Sequence, residues 1–204
     1  MSYSLEEVIE LITAVGVETF DIRTITVGVS LLTCADEDVD RCAAKVYDKV
    51  MRTAANLVPT AQAIERKFGI PIVNKRISVS PIAQIAGPCK GDTVVPIAAA
   101  LDRAATELGV DFVGGFTANI QKGFTRGDQL LVNSIPDALS TTKRVCSSVN
   151  VGSSAAGINM DGVYRMAQIM KETAERTRDS DGLGCAKLVI FCNQPEDKIG
   201  RAHV

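Results

Sequence analysis

The sequence predicts an α/β fold with a parallel or mixed sheet, and three observations carry that expectation. Stretches rich in Val, Ile and Thr alternate five times with segments of helical spacing. The connections between successive stretches are long enough for parallel crossovers. The composition, 46% hydrophobic with 4% aromatic residues and no Trp, suits helices packed tightly on strands.

The first helix opens at Ser4 with Glu7 as its capping-box partner, spaces Leu5, Val8, Ile9, Ile12 and Val15 along one face, and stops at Gly16. A strand follows over 21–32, where Ile22, Thr24 and Thr26 alternate with Arg23, Ile25 and Val27, and Gly28 marks a bulge or a close contact. Asp36, Glu37 and Asp38 put negative charge at the start of a long helix whose buried face is Val39, Ala43, Val46 and Val50. Pro59 is expected to end it. A shorter helix over 61–67 stops at Gly69, and a second strand over 71–80 closes at Val79-Ser80-Pro81. The loop 87–92 leads to a helix over 94–108, capped by Asp92 or Thr93, with Pro96 in its first turn and Gly109 as its stop.

A third strand, over 110–116, ends in the pair Gly114-Gly115 and delivers a polar loop containing Asn119, Gln121, Lys122, Arg126 and Asp128. A short helical turn to Leu131 and a break at Ile135-Pro136 come next. The fourth strand, 143–149, runs into a small-residue loop over 150–162. A helix over 163–178, a turn at 179–182 and a fifth strand over 186–192 complete the pattern. In such folds ligands gather at the carboxyl ends of the strands, and those ends carry the loops 114–128 and 150–161.

In the first loop Gly123 and Gly127 let the backbone approach a ligand. Lys122 and Arg126 offer charge to a carboxylate or phosphate, and Asp128 orients them or binds a metal. The plain alternative is a surface turn with an Arg–Asp pair, which contributes about 0–1 kcal/mol. The second loop offers backbone N–H groups with Asn150, Ser153 and Ser154, yet matches neither a P-loop nor a dinucleotide fingerprint, and Asp161 doubles as a cap for the next helix. Cys89, next to Lys90 and ahead of a helix, is the candidate reactive thiol, set against an inert cysteine. Cys146 reads as core, and of Lys75 and Arg76 one points into a barrel interior or both lie on a solvated face. The catalytic candidates are therefore Cys89, Asp128 and Asp161, and the substrate-binding ones Lys122, Arg126, Asn150, Ser153 and Ser154. No metal and no cofactor is assigned, because no His or Cys cluster has zinc spacing.

Other classes are excluded. With 22 basic and 24 acidic residues and no basic run, nucleic acid is not a partner. Apolar stretches such as 94–101 and 188–192 are too short for a bilayer, which needs about 20 residues, and no basic signal segment opens the chain. Six dispersed cysteines read as reduced core residues of a cytoplasmic protein.

Gly-Gly-Phe-Thr-Ala at 114–118, Lys-Gly-Phe-Thr-Arg-Gly-Asp at 122–128, Ser-Ser-Val-Asn-Val-Gly-Ser-Ser at 147–154 and Gly-Ile-Asn-Met-Asp at 157–161 together resemble the uncharacterised PFL family (domain of unknown function 711, the UPF0210 proteins). The similarity covers nearly all of 1–197, including Asp21 to Thr26. It implies a barrel related in shape to pyruvate formate-lyase and other glycyl radical enzymes, a homodimer at full length, and no established reaction. Members are longer, so 1–197 is expected to be the N-terminal half of a single larger barrel domain. Residues 198–204 lack period and caps, and Ile-Gly-Arg-Ala-His-Val matches a reading frame of a sequencing-library adapter, so this tail is expected to be non-native and His203 to carry no chemistry. Radical enzymes of this shape need a C-terminal glycine motif and an inner-loop cysteine; no adjacent cysteine pair supports that mechanism here. The resulting expectation is a cytoplasmic enzyme for a small anionic metabolite, or a metabolite sensor that kept the barrel without catalysis.

Overall fold

The computed structural model describes residues 4–16 and 21–192, so the tail 198–204 lies outside the described residues. In order the elements are α1 (Leu5–Gly16), β1 (Ile22–Val29), a 3-10 turn (Leu32–Cys34), α2 (Val39–Ala54), α3 (Leu57–Phe68), β2 (Ile72–Val79), α4 (Ile82–Ala86), α5 (Val95–Leu108), β3 (Phe112–Asn119), α6 (Arg126–Thr141), β4 (Val145–Ser153), β5 (Gly157–Ile158), α7 (Met160–Arg176), a second 3-10 turn (Arg178–Ser180), α8 (Leu183–Ala186) and β6 (Leu188–Cys192).

Five strands pair in parallel in the order β1-β2-β3-β4-β6, and the two-residue β5 runs antiparallel to the end of β4. Each strand joins the same growing edge, so right-handed crossovers place the connecting helices in one layer on one face. The core lies between them: Val29, Ile77, Val79, Val113, Phe116, Val145 and Val149 from the sheet meet Val46, Val50, Leu101, Leu131, Ile135 and Ile169 from the helices. The alternate strand residues, among them Thr26, Arg76, Gly114 and Cys146, therefore turn to the opposite face. The described residues form an open sheet with edges at β1 and β6 rather than a closed ring.

Local signals held where they were self-contained. Ser4 Oγ accepts from Glu7 N–H at 3.2 Å and Glu7 Oε2 accepts from Ser4 N–H at 2.7 Å, the expected capping box. Asp38 caps α2 by accepting from the N–H groups of Asp40 and Arg41. Gly69 and Gly109 close α3 and α5 with φ of 71° and 70°.

Four expectations are corrected. The long helix ends at Ala54, and Pro59 sits in the first turn of α3, where its missing N–H has no helical partner to lose. The segment 126–141 is one helix with Pro136 inside it. An interior proline costs about 3 kcal/mol, but Leu131, Val132, Ile135 and Leu139 are all buried and each contributes about 1.5–3 kcal/mol, so packing outweighs the local break. Asn159, not Asp161, caps α7. Finally, Gly28 sits in regular register with open space around it, and the bulge falls at Gly115. Gly115 has φ +117°, and a Cβ there would lie 2.4 Å from the Val79 carbonyl oxygen.

Candidate functional site

The two glycine-bearing loops emerge side by side. Asn119 at the end of β3 is in register with Asn150 near the end of β4. Asn159 then ties the loops together: its N–H donates to Val151 O at 2.8 Å, its Nδ2 donates to Ile120 O at 2.7 Å, and its Oδ1 accepts from Gly162 N–H at 3.1 Å. One residue thus caps α7 and holds the exit of both central strands, β3 through its side chain and β4 through its main-chain N–H.

Against this rim lies a cavity of 570 Å³ lined by Gln84, Asn119, Thr125, Arg126 and Asp128, with Pro81, Ala83, Gly87 and Gly127 as its backbone walls. At its edge the start of α6 is pressed onto α4: a Cβ on Gly127 would stand 2.0 Å from Ala83 O and 3.0 Å from Gly87 N. Arg126 lines the cavity and donates from Nη2 to Cys89 O at 3.0 Å. A guanidinium has five N–H donors in a planar fork, and the α6 amino terminus adds its dipole on the same side.

Asp128 is buried and accepts from Thr125 N–H at 3.0 Å and Thr125 Oγ1 at 2.6 Å, while Thr125 Oγ1 accepts from Asp128 N–H at 3.2 Å. This reciprocal cap commits the carboxylate to the helix start, where it offsets part of the positive potential. In the same loop, Gln121 Oε1 is buried with no hydrogen-bond partner among the described residues.

The other predicted residues are distributed around this cavity rather than in it. Lys122 is exposed on the turn between β3 and α6. Asn150 is buried and its Oδ1 accepts from Gly152 N–H at 3.3 Å. Ser153 is buried, with Oγ accepting from Ala156 N–H at 3.0 Å, and Ser154 is exposed beside it. Asp161 is exposed in the first turn of α7.

Of the two readings of Cys89, reactive thiol or inert cysteine, its surroundings resemble the second. Cys89 is fully buried, its Sγ lies 3.4 Å from Asp36 O, and burial pushes its thiol up. Lys90 turns outward to pair with Glu37 at 2.5 Å. Cys42, also fully buried, is pushed up to about 12 by burial and by its neighbours Cys89 and Cys34. Cys146, expected in the core, is instead partly exposed. Among the described residues no group of three or more His, Cys, Asp or Glu side chains could hold a metal ion, and no helix is long and apolar enough to cross a membrane.

Sequence reasoning missed Gln84, because α4 is only five residues long, and it missed the clip formed by Asn159. The bracketing Pro81 and Gly87 were the available signal for the first.

The family model described as "Uncharacterised ACR (DUF711)" matches residues 14–202. The chain is 59% identical over 195 residues to a UPF0210 protein of Desulforamulus reducens, covering 96% of this chain and 43% of that protein. It is 54% identical over 191 residues to a UPF0210 protein of Listeria monocytogenes, covering 94% and 42%. A UPF0210 protein of Thermoanaerobacter is 54% identical over 198 residues, covering 97% and 44%. The chain therefore spans less than half the length of these relatives.

Proposed function

The chain belongs to the DUF711 family of uncharacterised proteins, and from that membership and the cavity at the carboxyl ends of β3 and β4 we propose that it binds a small anionic metabolite, a carboxylate or phosphate, gripped by Arg126. The observation that carries this reading is the 570 Å³ space at which a guanidinium, the amino end of a sixteen-residue helix and the Asn119 amide converge. Lys122 steers the anion from the rim, and Asn150, Ser153 and Ser154 shape the adjoining wall.

The sheet, with helices on one face only, is one wall of a pyruvate formate-lyase-like barrel that the remaining length of the relatives completes, and the whole protein is a cytoplasmic homodimer. The catalytic reading needs a proton-transfer group in the cavity. Asp128 is the carboxylate lining it, and the N–H and hydroxyl of Thr125 both donate to its Oδ2 and tie it to the helix start, which favours the second reading, a metabolite sensor without catalysis.

A thermal-shift screen with phosphates and small carboxylates tests the binding claim. A ligand at 100 times its Kd adds about 2.7 kcal/mol of stability. The expected result is a shift that Arg126→Ala abolishes. Stabilisation that survives Lys122→Ala combined with Arg126→Ala removes this loop from the site.

A further inference from the structure

The carboxyl-end cavity carries one charge of each sign. Arg126 and Asp128 both line it, and the rest of its lining is neutral. The two charged residues are the first and third of α6, so about 3 Å of helix rise separates them. Gly127 between them lies against the backbone of Ala83 and Gly87, which fixes the point where both side chains leave the helix.

Each charge keeps hydrogen-bonding capacity in hand. Arg126 makes one hydrogen bond among the described residues, from Nη2 to Cys89 O, and a guanidinium has five N–H donors. Asp128 takes both Thr125 donors on Oδ2, and no hydrogen bond among the described residues reaches its Oδ1. That oxygen is not sealed inside the protein. Shut away and unbonded, it would stand with Gln121 Oε1 among the buried orphans, and it does not. The 5% of Asp128 that stays exposed therefore includes Oδ1, on a residue that lines the cavity.

A plain carboxylate or phosphate on Arg126 would meet a second, buried carboxylate with no cation left to face it. A buried charge without an opposite partner is strongly destabilising. A ligand that carries a cation beside its anion satisfies both residues. We propose that the ligand of this cavity is an α-amino acid, its carboxylate on the Arg126 guanidinium and its ammonium on Asp128 Oδ1, with Gln84 and Asn119 facing its side chain. The assignment rests on the cavity being the anion site and names which anions it takes. A guanidinium fork matches carboxylate oxygens, and an ammonium has three N–H donors to offer. The volume of 570 Å³ falls within the ~300–1,000 Å³ of small-molecule pockets, so a side chain fits beyond the two charged groups. Because cap and ligand use different oxygens of one carboxylate, the Thr125 bonds hold Oδ1 in place before the ligand arrives.

The test titrates the full chain by calorimetry with the twenty protein amino acids and with the des-amino carboxylate of each one that binds, such as propionate against alanine. At least one amino acid should bind, about tenfold or more tighter than its des-amino carboxylate, because the ammonium adds a charge-assisted hydrogen bond. Asp128→Asn should abolish that preference: the amino acid loses about tenfold, while the des-amino carboxylate binds as well or better. Arg126→Ala should weaken both. The comparison within the unsubstituted chain stands even if a variant does not fold. A des-amino carboxylate that binds as tightly as its amino acid, or a preference that survives Asp128→Asn, would overturn the proposal and leave the anion site standing. Binding of phosphates or carboxylates without any amino acid would do the same. Binding of none of the three classes would overturn the anion site as well.

Discussion

Arg126 and Asp128 stand two residues apart and do opposite things. The arginine donates to the Cys89 carbonyl, while the aspartate turns back to close its own helix. Gly127 between them is fixed by contact, and Gly127→Ala should destabilise the protein by about 2–3 kcal/mol through overpacking against Ala83 O, read as a lower urea midpoint. The buried thiols give a pH signature. Cys42 keeps its proton to about pH 12 in the folded chain, whereas an unfolded cysteine releases it near pH 8.5. The folded state then binds more protons, so stability should fall as pH rises from about 8.5 toward 12. Denaturant midpoints at pH 7.5 and pH 10 should show the fall, and Cys42→Ala should reduce it, the remainder belonging to the buried thiols of Cys89 and Cys146.

At the scale of elements, α6 decides between a cap and a ligand contact. Asp128→Asn should weaken the reciprocal cap by about 0.5–2 kcal/mol. The same change should tighten binding of an oxyanion in the cavity, because it removes a negative charge from the wall; calorimetry with the hit from the thermal screen would show this, and weaker binding would mean Asp128 orients the ligand directly. The start of α7 depends on Asn159 in a comparable way. Asn159→Ala removes one of the two donors to Ile120 O, where Gly123 N–H remains, together with the α7 cap, and should cost about 0.5–2 kcal/mol, with faster amide exchange confined to 150–162. A global increase in exchange would show that the clip supports more than the two loops.

For the whole molecule the governing feature is a parallel sheet with helices on one face. Parallel sheets are ordinarily covered on both faces, and here the outer edges of β1 and β6 pair with no further strand among the described residues. Exposed apolar side chains also run along α7 at helical spacing, with Met160, Val163, Tyr164 and Met170 all open to solvent. The isolated chain should therefore self-associate with rising concentration in sedimentation velocity, whereas a full-length relative such as the Listeria protein should stay at one defined assembly size. A monodisperse, cooperatively melting monomer of this chain would contradict that expectation.

What the sequence by itself determined was the part of the fold written in local chemistry. The alternation of strands and helices, the capping box at Ser4, the acidic start of α2 and the stops at Gly69 and Gly109 all depend on neighbours within four residues, so they are legible in order. The end of the sheet that carries the two loops is legible too, because parallel connections force all carboxyl ends to one side. Tertiary structure alone decided the rest. Pro136 stays helical because distant residues bury its neighbours, position 115 takes Gly because Val79 leaves no room for a Cβ at the bulge, and Cys89 is buried because it packs against Asp36 and Ile85, far from it in sequence or on another element. Whether cations meet is equally non-local. Lys122 and Arg126 are close in sequence yet only Arg126 lines the cavity, while Arg76 and Lys187, more than a hundred residues apart, face the same small space. Sequence spacing fixes directions along one element; only the packing of several elements fixes which side chains share a volume.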